Sequence, residues 1–134
     1  MALEPLAREG HYFHVYDFRI REDVDPLAFI RSFNDFDYSD ANPMHRSAAQ
    51  VKDGVLVQDV DDARRFWLIG EWRDIVEHAR IRKVLAESIR PEFVAMIEGG
   101  RFVPAYGRIV SATPAEVLER AAGQRASTDP SDPS

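Results

Sequence analysis

Hydrophobic and polar residues alternate along residues 11–20, where aromatic and branched side chains predominate. Alternation with a period of two is typical of a β-strand, because successive side chains point to opposite faces of a sheet. One face of this predicted strand carries Tyr12, His14, Tyr16, Phe18 and Ile20. That face is apolar apart from His14, whereas the opposite face is apolar only in its middle.

A helix is predicted directly after this strand, since Asp25 suits the N-cap and Pro26 the first helical position. Apolar residues then recur at spacings of three and four, at Leu27, Phe29, Ile30 and Phe33. The helix should end near Phe36. Residues 37–43 have the composition of a loop. Residues 44–51 are ambiguous and are compatible with a short extra strand.

The middle of the chain predicts an antiparallel hairpin. Asp53-Gly54 is a turn signal, residues 55–60 form a strand, residues 61–64 form a turn, and Arg65 to Trp72 form the next strand. This last strand is apolar on both faces. Phe66, Leu68, Gly70 and Trp72 lie on one side, and Trp67 and Ile69 lie on the other.

The second half of the chain repeats the helix and strand pattern. Asp74 is the predicted N-cap of a helix that runs to about Ser88, and Pro91 opens a short helix that Gly99-Gly100 stops. A fourth strand is predicted over residues 101–110. Thr113-Pro114-Ala115-Glu116 is a capping box that starts a last short helix. The polar residues that follow predict a disordered tail.

The order strand, helix, strand, strand, helix, strand predicts an α+β ferredoxin-like βαββαβ fold with a four-stranded antiparallel sheet. We divide the chain into an irregular lead-in (residues 1–10), the ferredoxin-like domain (11–112), a short C-terminal helix (113–123) and a disordered tail (124–134). Helices cover one sheet face, so the second apolar face predicts a homodimer. A pocket for a small hydrophobic ligand is expected between sheet and helices.

Composition excludes several classes of function. The chain has 134 residues, a net charge of −6 and a pI of about 5.2, which argues against binding to nucleic acid or to anionic membranes. It contains no cysteine, so disulfides and thiolate metal sites are excluded. No apolar run reaches the ~20 residues of a membrane span. The N-terminus lacks a signal-peptide pattern, and we expect a cytoplasmic location.

Residues 54–74 (GVLVQDVDDARRFWLIGEWRD) resemble the central hairpin of antibiotic-biosynthesis monooxygenase domains, which belong to the dimeric α/β-barrel superfamily. The shared pattern is a glycine, a strand, an acidic turn, an apolar strand, then Glu-Trp and a helix. The resemblance implies a cofactor-independent monooxygenase, a haem-degrading protein, an isomerase or a protein without known activity. It also implies that Trp72 lines the pocket. Leu68 and Ile81 stand where many members carry an asparagine and a histidine.

His14 and His78 are the candidate catalytic residues, because the pKa of an imidazole falls near working pH. Each is alternatively a hydrogen-bonded core or surface histidine. Candidate substrate-binding residues are Trp72, Tyr16, Phe66, Leu68, Tyr106 and Arg108. His45 is either a solvated loop residue or part of a pocket mouth. No metal site is predicted, because no two histidines have the helical i, i+4 spacing of a zinc site.

Three functions follow as hypotheses. The first is an enzyme resembling cofactor-independent monooxygenases, acting on an aromatic substrate of polyketide or quinol type, with His14 or His78 as the base. The second is haem binding or degradation, with His78 as the axial ligand, which a Soret shift on haem titration would favour. The third is a non-catalytic ligand-binding dimer, which gains if both histidines lie away from any cavity. The first needs no cofactor, and the second needs haem.

Overall fold

The computed structural model describes residues 1–128. Its strands and helices are β1 (Tyr12–Arg19), α1 (Pro26–Asp37), β2 (Gln50–Gln58), β3 (Arg65–Trp72), α2 (Ile75–Val84), β4 (Ala105–Arg108) and α3 (Ala115–Thr128). The strands form one antiparallel sheet in the order β2-β3-β1-β4. The predicted ferredoxin-like α+β fold is therefore confirmed.

The core lies on the inner sheet face, the face that packs against the helices. In the central pair of strands His14 lies opposite Gly70, Tyr16 opposite Leu68, and Phe18 opposite Phe66. Paired residues share a face, which is why the apolar side of each strand meets that of its neighbour. The buried cluster comprises Tyr16, Phe18, Ile20, Phe29, Phe33, Phe66, Phe93 and Ile97.

The sequence-based prediction of a turn at Asp53-Gly54 is wrong. Both residues lie within β2, and the pairing with β3 shifts register between Gln50 and Lys52 and again between Lys52 and Val55. A Cβ at Gly54 would lie 3.1 Å from the carbonyl oxygen of Ile69. The glycine thus permits close approach of two strands at a β-bulge, where we expected it to reverse the chain.

The ends of two other elements also differ from prediction. The helix predicted to reach about Ser88 does so, because α2 ends at Val84 and a π-helical turn continues over Leu85–Ile89. Strand β4 is shorter than predicted, because only residues 12–15 of β1 pair with it. Helix α3 reaches Thr128, so the predicted disorder is wrong for residues 124–128. The remaining part of that prediction, residues 129–134, lies outside the described residues.

The outer sheet face, which points away from the helices, is apolar at its centre. Val15 of β1, Ile69 of β3 and Val55 of β2 lie side by side across the strands. Val55 is 56% exposed, although its neighbours toward the centre of the sheet are half-buried. The lead-in covers the far end of this face, where the Arg8 backbone N–H donates to Glu71 Oε2 at 2.9 Å.

Glu71 is buried on the outer sheet face and is held as a carboxylate. Its Oε2 also lies 2.7 Å from His11 Nδ1. Burial opposes ionisation of this carboxyl, but the hydrogen bonds from Arg8 and His11 outweigh it and lower the pKa of Glu71. The contact explains why the lead-in is ordered against the sheet. Within residues 1–128, no helix is both long and apolar enough to cross a membrane.

Candidate active site

The fold brings together the two histidines that the sequence singled out. His14 lies on β1 and His78 on α2, and their imidazole rings stack with centroids 4.6 Å apart and planes 25° apart. Their exposed fractions are 5% and 1%. Two buried imidazoles in contact are an uncommon arrangement, because the core around them is otherwise apolar.

Trp72 determines which nitrogen of His14 carries the hydrogen. The Trp72 Nε1–H donates to His14 Nδ1 at 2.8 Å. An indole N–H is a donor only, so Nδ1 must offer its lone pair and the hydrogen of neutral His14 lies on Nε2. That Nε2 is buried and has no partner among residues 1–128. His14 therefore offers a hydrogen-bond donor at Nε2, and the prediction that it acts as a base there does not fit this tautomer.

His78 is held differently. Its Nδ1 lies 2.8 Å from the hydroxyl oxygen of Tyr106, on β4. Tyr106 is 37% exposed, so this hydroxyl links a buried imidazole to the surface. When Nδ1–H donates to Tyr106, the Nε2 of His78 carries a free lone pair, which a base requires. This Nε2 is also buried without a partner among the described residues.

Both imidazoles are neutral at physiological pH. Burial lowers the pKa of His14 to about 3, and the neighbouring His78 adds to the effect. Burial also lowers the pKa of His78 to about 4, assisted by the positive charge of Arg82. An imidazolium would lose its hydration in this site without gaining an anionic partner. A bound substrate anion would supply that partner and raise both pKa values.

Stability should fall between about pH 6.5 and about pH 4, because the unfolded chain takes up protons on two histidines that the folded protein keeps neutral. Each pH unit in that window costs at most about 1.4 kcal/mol per histidine. We expect His78→Gln to reduce this loss. Urea unfolding of the variant and of the unaltered protein at about pH 7 and about pH 5 measures the difference. Equal pH dependence in the two proteins would contradict the burial of neutral His78.

The two histidines line a small cavity of about 60 Å³. Leu68, a candidate substrate-binding residue, lines the same cavity, and so does His45. His45 Nδ1 lies 3.0 Å from Asp53 Oδ1, and its Nε2 lies 3.0 Å from the carbonyl oxygen of Asp37. His45 thus sits at the cavity rim, fixed by the loop. Among residues 1–128 no group of three His, Asp or Glu side chains could hold a metal ion.

A wide groove of about 890 Å³ adjoins this cavity. Four residues line both spaces, namely Tyr16, Leu85, Phe93 and Phe102. Tyr16 and Phe102 stack with ring centroids 4.0 Å apart. Burial raises the pKa of Tyr16, although the adjacent Arg82 opposes the shift, so this phenol stays protonated. The groove has the size of a small-molecule site, and the cavity behind it carries the imidazoles.

The other predicted site residues are placed less centrally. Trp72 is completely buried and lies outside the lining of the cavity and the groove, so it positions His14 and offers no stacking surface. Phe66 is likewise completely buried in the core. Arg108 is exposed near the end of β4, opposite Tyr12, and does not line either space. Tyr106 lies opposite His14 in the sheet and contacts His78, but it lines neither space.

Three site residues escaped the sequence-based reasoning, namely Arg82, Phe93 and Phe102. Arg82 lies four residues after His78 on α2, a spacing that places two helical side chains on one face and could have identified it. Phe93 and Phe102 lie in segments that we treated only as a short helix and a strand. Their shared position beside Tyr16 depends on how residues 90–103 fold back over the sheet.

Comparison with known proteins identifies the fold. A dimeric ferredoxin-like protein from an uncultured marine organism has a TM-score of 0.59 at 12% identity, covering 79% of this chain and 93% of the other. A protein from Nitrosomonas europaea, provisionally assigned as an antibiotic biosynthesis monooxygenase, has a TM-score of 0.55 at 14% identity, covering 76% and 92%. A protein from Pseudomonas aeruginosa has a TM-score of 0.53 at 14% identity, covering 78% and 99%.

This chain is similar in fold to ferredoxin-like proteins of the antibiotic-biosynthesis monooxygenase type, as the central hairpin predicted. The identities are too low for the likeness to reach beyond the fold. No protein-family model matches the chain, and no curated protein matches it. Function therefore has to be argued from the site itself.

Proposed function

We propose that this protein is an enzyme for a hydrophobic aromatic substrate of polyketide or quinol type, acting like a cofactor-independent monooxygenase. One observation carries the proposal: two stacked, neutral imidazoles present unpartnered Nε2 atoms beside a cavity that adjoins a wide groove. The non-catalytic alternative would gain if both histidines lay away from any cavity, and both line one. The fold shared with the Nitrosomonas europaea protein is compatible with this chemistry.

In this proposal the two histidines have separate roles. His78 Nε2 accepts the proton of the substrate's phenolic hydroxyl, while Tyr106 remains hydrogen-bonded to Nδ1. The Nε2–H of His14 donates to the oxygen anion that forms. The electron-rich anion then reacts with dioxygen. One oxygen atom becomes the carbonyl oxygen at the ring C–H para to the hydroxyl. The other leaves as water, which takes up the proton held by His78 and the hydrogen of that ring carbon, so no external reductant is needed.

The test is oxygen uptake with hydroxylated anthrones and naphthols, measured with a chelator present and without added cofactor. The protein should accelerate oxygen consumption above the rate of autoxidation for at least one of these compounds. A quinone product should appear in step with oxygen uptake. Rates equal to those in buffer for every compound would contradict the proposal.

The alternative of haem as cofactor is not favoured by the site. The Nε2 of His78 would have to bind the iron, but it faces a cavity of only about 60 Å³ with His14 stacked against the ring. The iron lies at the centre of the macrocycle, so the whole haem would have to reach His78, whereas the proposed substrate needs only its hydroxyl-bearing edge in the cavity and its body in the adjoining groove. The proposed reaction is accordingly one without a cofactor, and a Soret shift on haem titration would contradict it.

We further propose that the protein is a homodimer joined through the outer sheet face. Val15, Ile69 and Val55 form its apolar centre, and the marine ferredoxin-like neighbour is described as dimeric. Ile69→Lys should yield a monomer, because it places a charge in the middle of the contact. Val60→Lys is the control, since Val60 is 96% exposed beyond the end of β2. Light scattering after gel filtration measures the molecular mass of each variant. An unchanged mass for Ile69→Lys would refute this interface.

A further inference from the structure

The wide groove beside the imidazole cavity is basic, although the protein is acidic. Its lining includes Arg82, Arg90 and Arg101, and Glu92 is the one acidic residue among them. The lining therefore carries a net charge of about +2 (three arginines less one glutamate), whereas the chain as a whole carries −6. Concentrated positive charge in an acidic protein attracts anionic ligands to that place. We call this space the arginine groove.

Arg82 lies at the inner end of the arginine groove. Its Nη2 donates to the carbonyl oxygen of Phe102 at 2.9 Å, which fixes the guanidinium beside Tyr16. Its Nε is buried and has no partner among residues 1–128. A buried N–H without an acceptor is unfavourable by about 1–3 kcal/mol, so this atom calls for an acceptor from a ligand or from water.

Arg90 and Arg101 form the outer part of the groove and are exposed. Arg90 follows the π-helical turn and has a φ of 50°, the left-handed region, which among residues 1–128 only glycines otherwise occupy. Arg101 follows Gly99 and Gly100, whose φ values are 72° and 64°. Such backbone conformations and π-helical turns concentrate at functional sites. Neither arginine has an acidic partner among the described residues.

The walls between these arginines are apolar. They are formed mainly by Leu85, Ala86, Phe93, Val94, Phe102 and Val103. A small inorganic anion would leave most of this apolar surface in water. A ligand that carries both a hydrophobic body and an anionic group matches the walls and the arginines together.

We propose that the arginine groove binds an organic acid, with a ring-bearing apolar body along the groove and its carboxylate paired with Arg90 and Arg101. The proposal rests on the proposed function in one respect only, that this acid is the substrate and that its reactive end points toward His14 and His78. Arginine pairs with carboxylates through two parallel hydrogen bonds, which orients the ligand as well as attracting it.

Binding of 2-naphthoate, compared with neutral 2-naphthalenemethanol of similar size, tests the proposal without any turnover. Isothermal titration of the full-length protein should show about tenfold tighter binding of the acid, the effect expected for a charge-assisted hydrogen-bonded pair. The double variant with Arg90→Gln and Arg101→Gln should lose most of this preference, because only Arg82 remains in the groove. Rising salt concentration should weaken binding of the acid and leave binding of the alcohol unchanged.

Lys83→Gln is the matched control, because Lys83 is exposed next to Arg82 but does not line the groove. It removes one positive charge and should keep the preference for the acid. Equal binding of acid and alcohol by the unaltered protein would overturn the proposal, as would failure of the acid to bind at millimolar concentration. An unreduced preference for the acid in the double variant would also overturn the proposal. Acid binding is measured without turnover, so it can be observed even if oxygen uptake with anthrones and naphthols fails, and the two proposals are tested separately.

Discussion

Substitution of His78 by alanine is expected to lower turnover of a phenolic substrate by about 100- to 10,000-fold, the usual contribution of a general base. The imidazole is the one group in the cavity with both a free lone pair and a hydrogen-bonded path to the surface through Tyr106. Without it, the substrate hydroxyl has no acceptor for its proton. Added imidazole should partly restore activity, because the truncated side chain leaves room beside His14.

The control for this variant is His45→Gln, which changes a histidine at the rim of the same cavity. It should retain most of the activity, since His45 is engaged by Asp37 and Asp53. Steady-state oxygen uptake gives the rates, and circular dichroism verifies that both variants fold. If His78→Ala is as active as the unaltered protein, the assignment of the base is wrong.

Gly70→Ala should disrupt the site more than the size of a methyl group suggests. A Cβ at position 70 would lie 2.6 Å from His14 Cε1, far inside van der Waals contact. The His14 ring cannot move aside freely, because Trp72 holds its Nδ1 and His78 stacks on the ring. We expect a loss of about 1–3 kcal/mol in the free energy of unfolding, as is usual for overpacked cores. Activity should fall together with it, since His14 loses its position.

Gly107→Ala is the matched control, because a Cβ there would meet no atom within 4 Å in β4. It should change the free energy of unfolding only slightly. Urea unfolding compares the two variants, and the nitrogen chemical shifts of His14 report whether its hydrogen stays on Nε2. Equal stability and equal activity of Gly70→Ala and the unaltered protein would contradict the tight contact between Gly70 and His14.

Much of the fold was predictable because it follows from periodicity. The alternation along residues 11–20 and residues 65–72 placed β1 and β3 correctly and showed which of their residues share a face. Asp74 was also identified as an N-cap, and its side chain accepts a hydrogen bond from the Val76 N–H at 2.8 Å. These features are local, so neighbouring residues decide them.

The wrong predictions concern residues whose local sequence is compatible with two different structures. A glycine after an aspartate suits a turn, but Gly54 serves a β-bulge against Ile69. β4 is short because it pairs with only residues 12–15 of β1. Such outcomes are decided by a neighbouring strand, which residue spacing does not reveal.

The amino-acid sequence alone determined the order of elements, which residues share a face of the central strands, and the choice of His14 and His78 as candidates. Only the tertiary structure decided that these imidazoles stack at 4.6 Å, that Trp72 holds the tautomer of His14, and that three arginines line one groove. The physical reason is that periodicity indicates which side chains share one face of a strand or helix. A hydrogen bond, a tautomer or a shared cavity depends on distances between residues far apart in the chain, which packing alone sets.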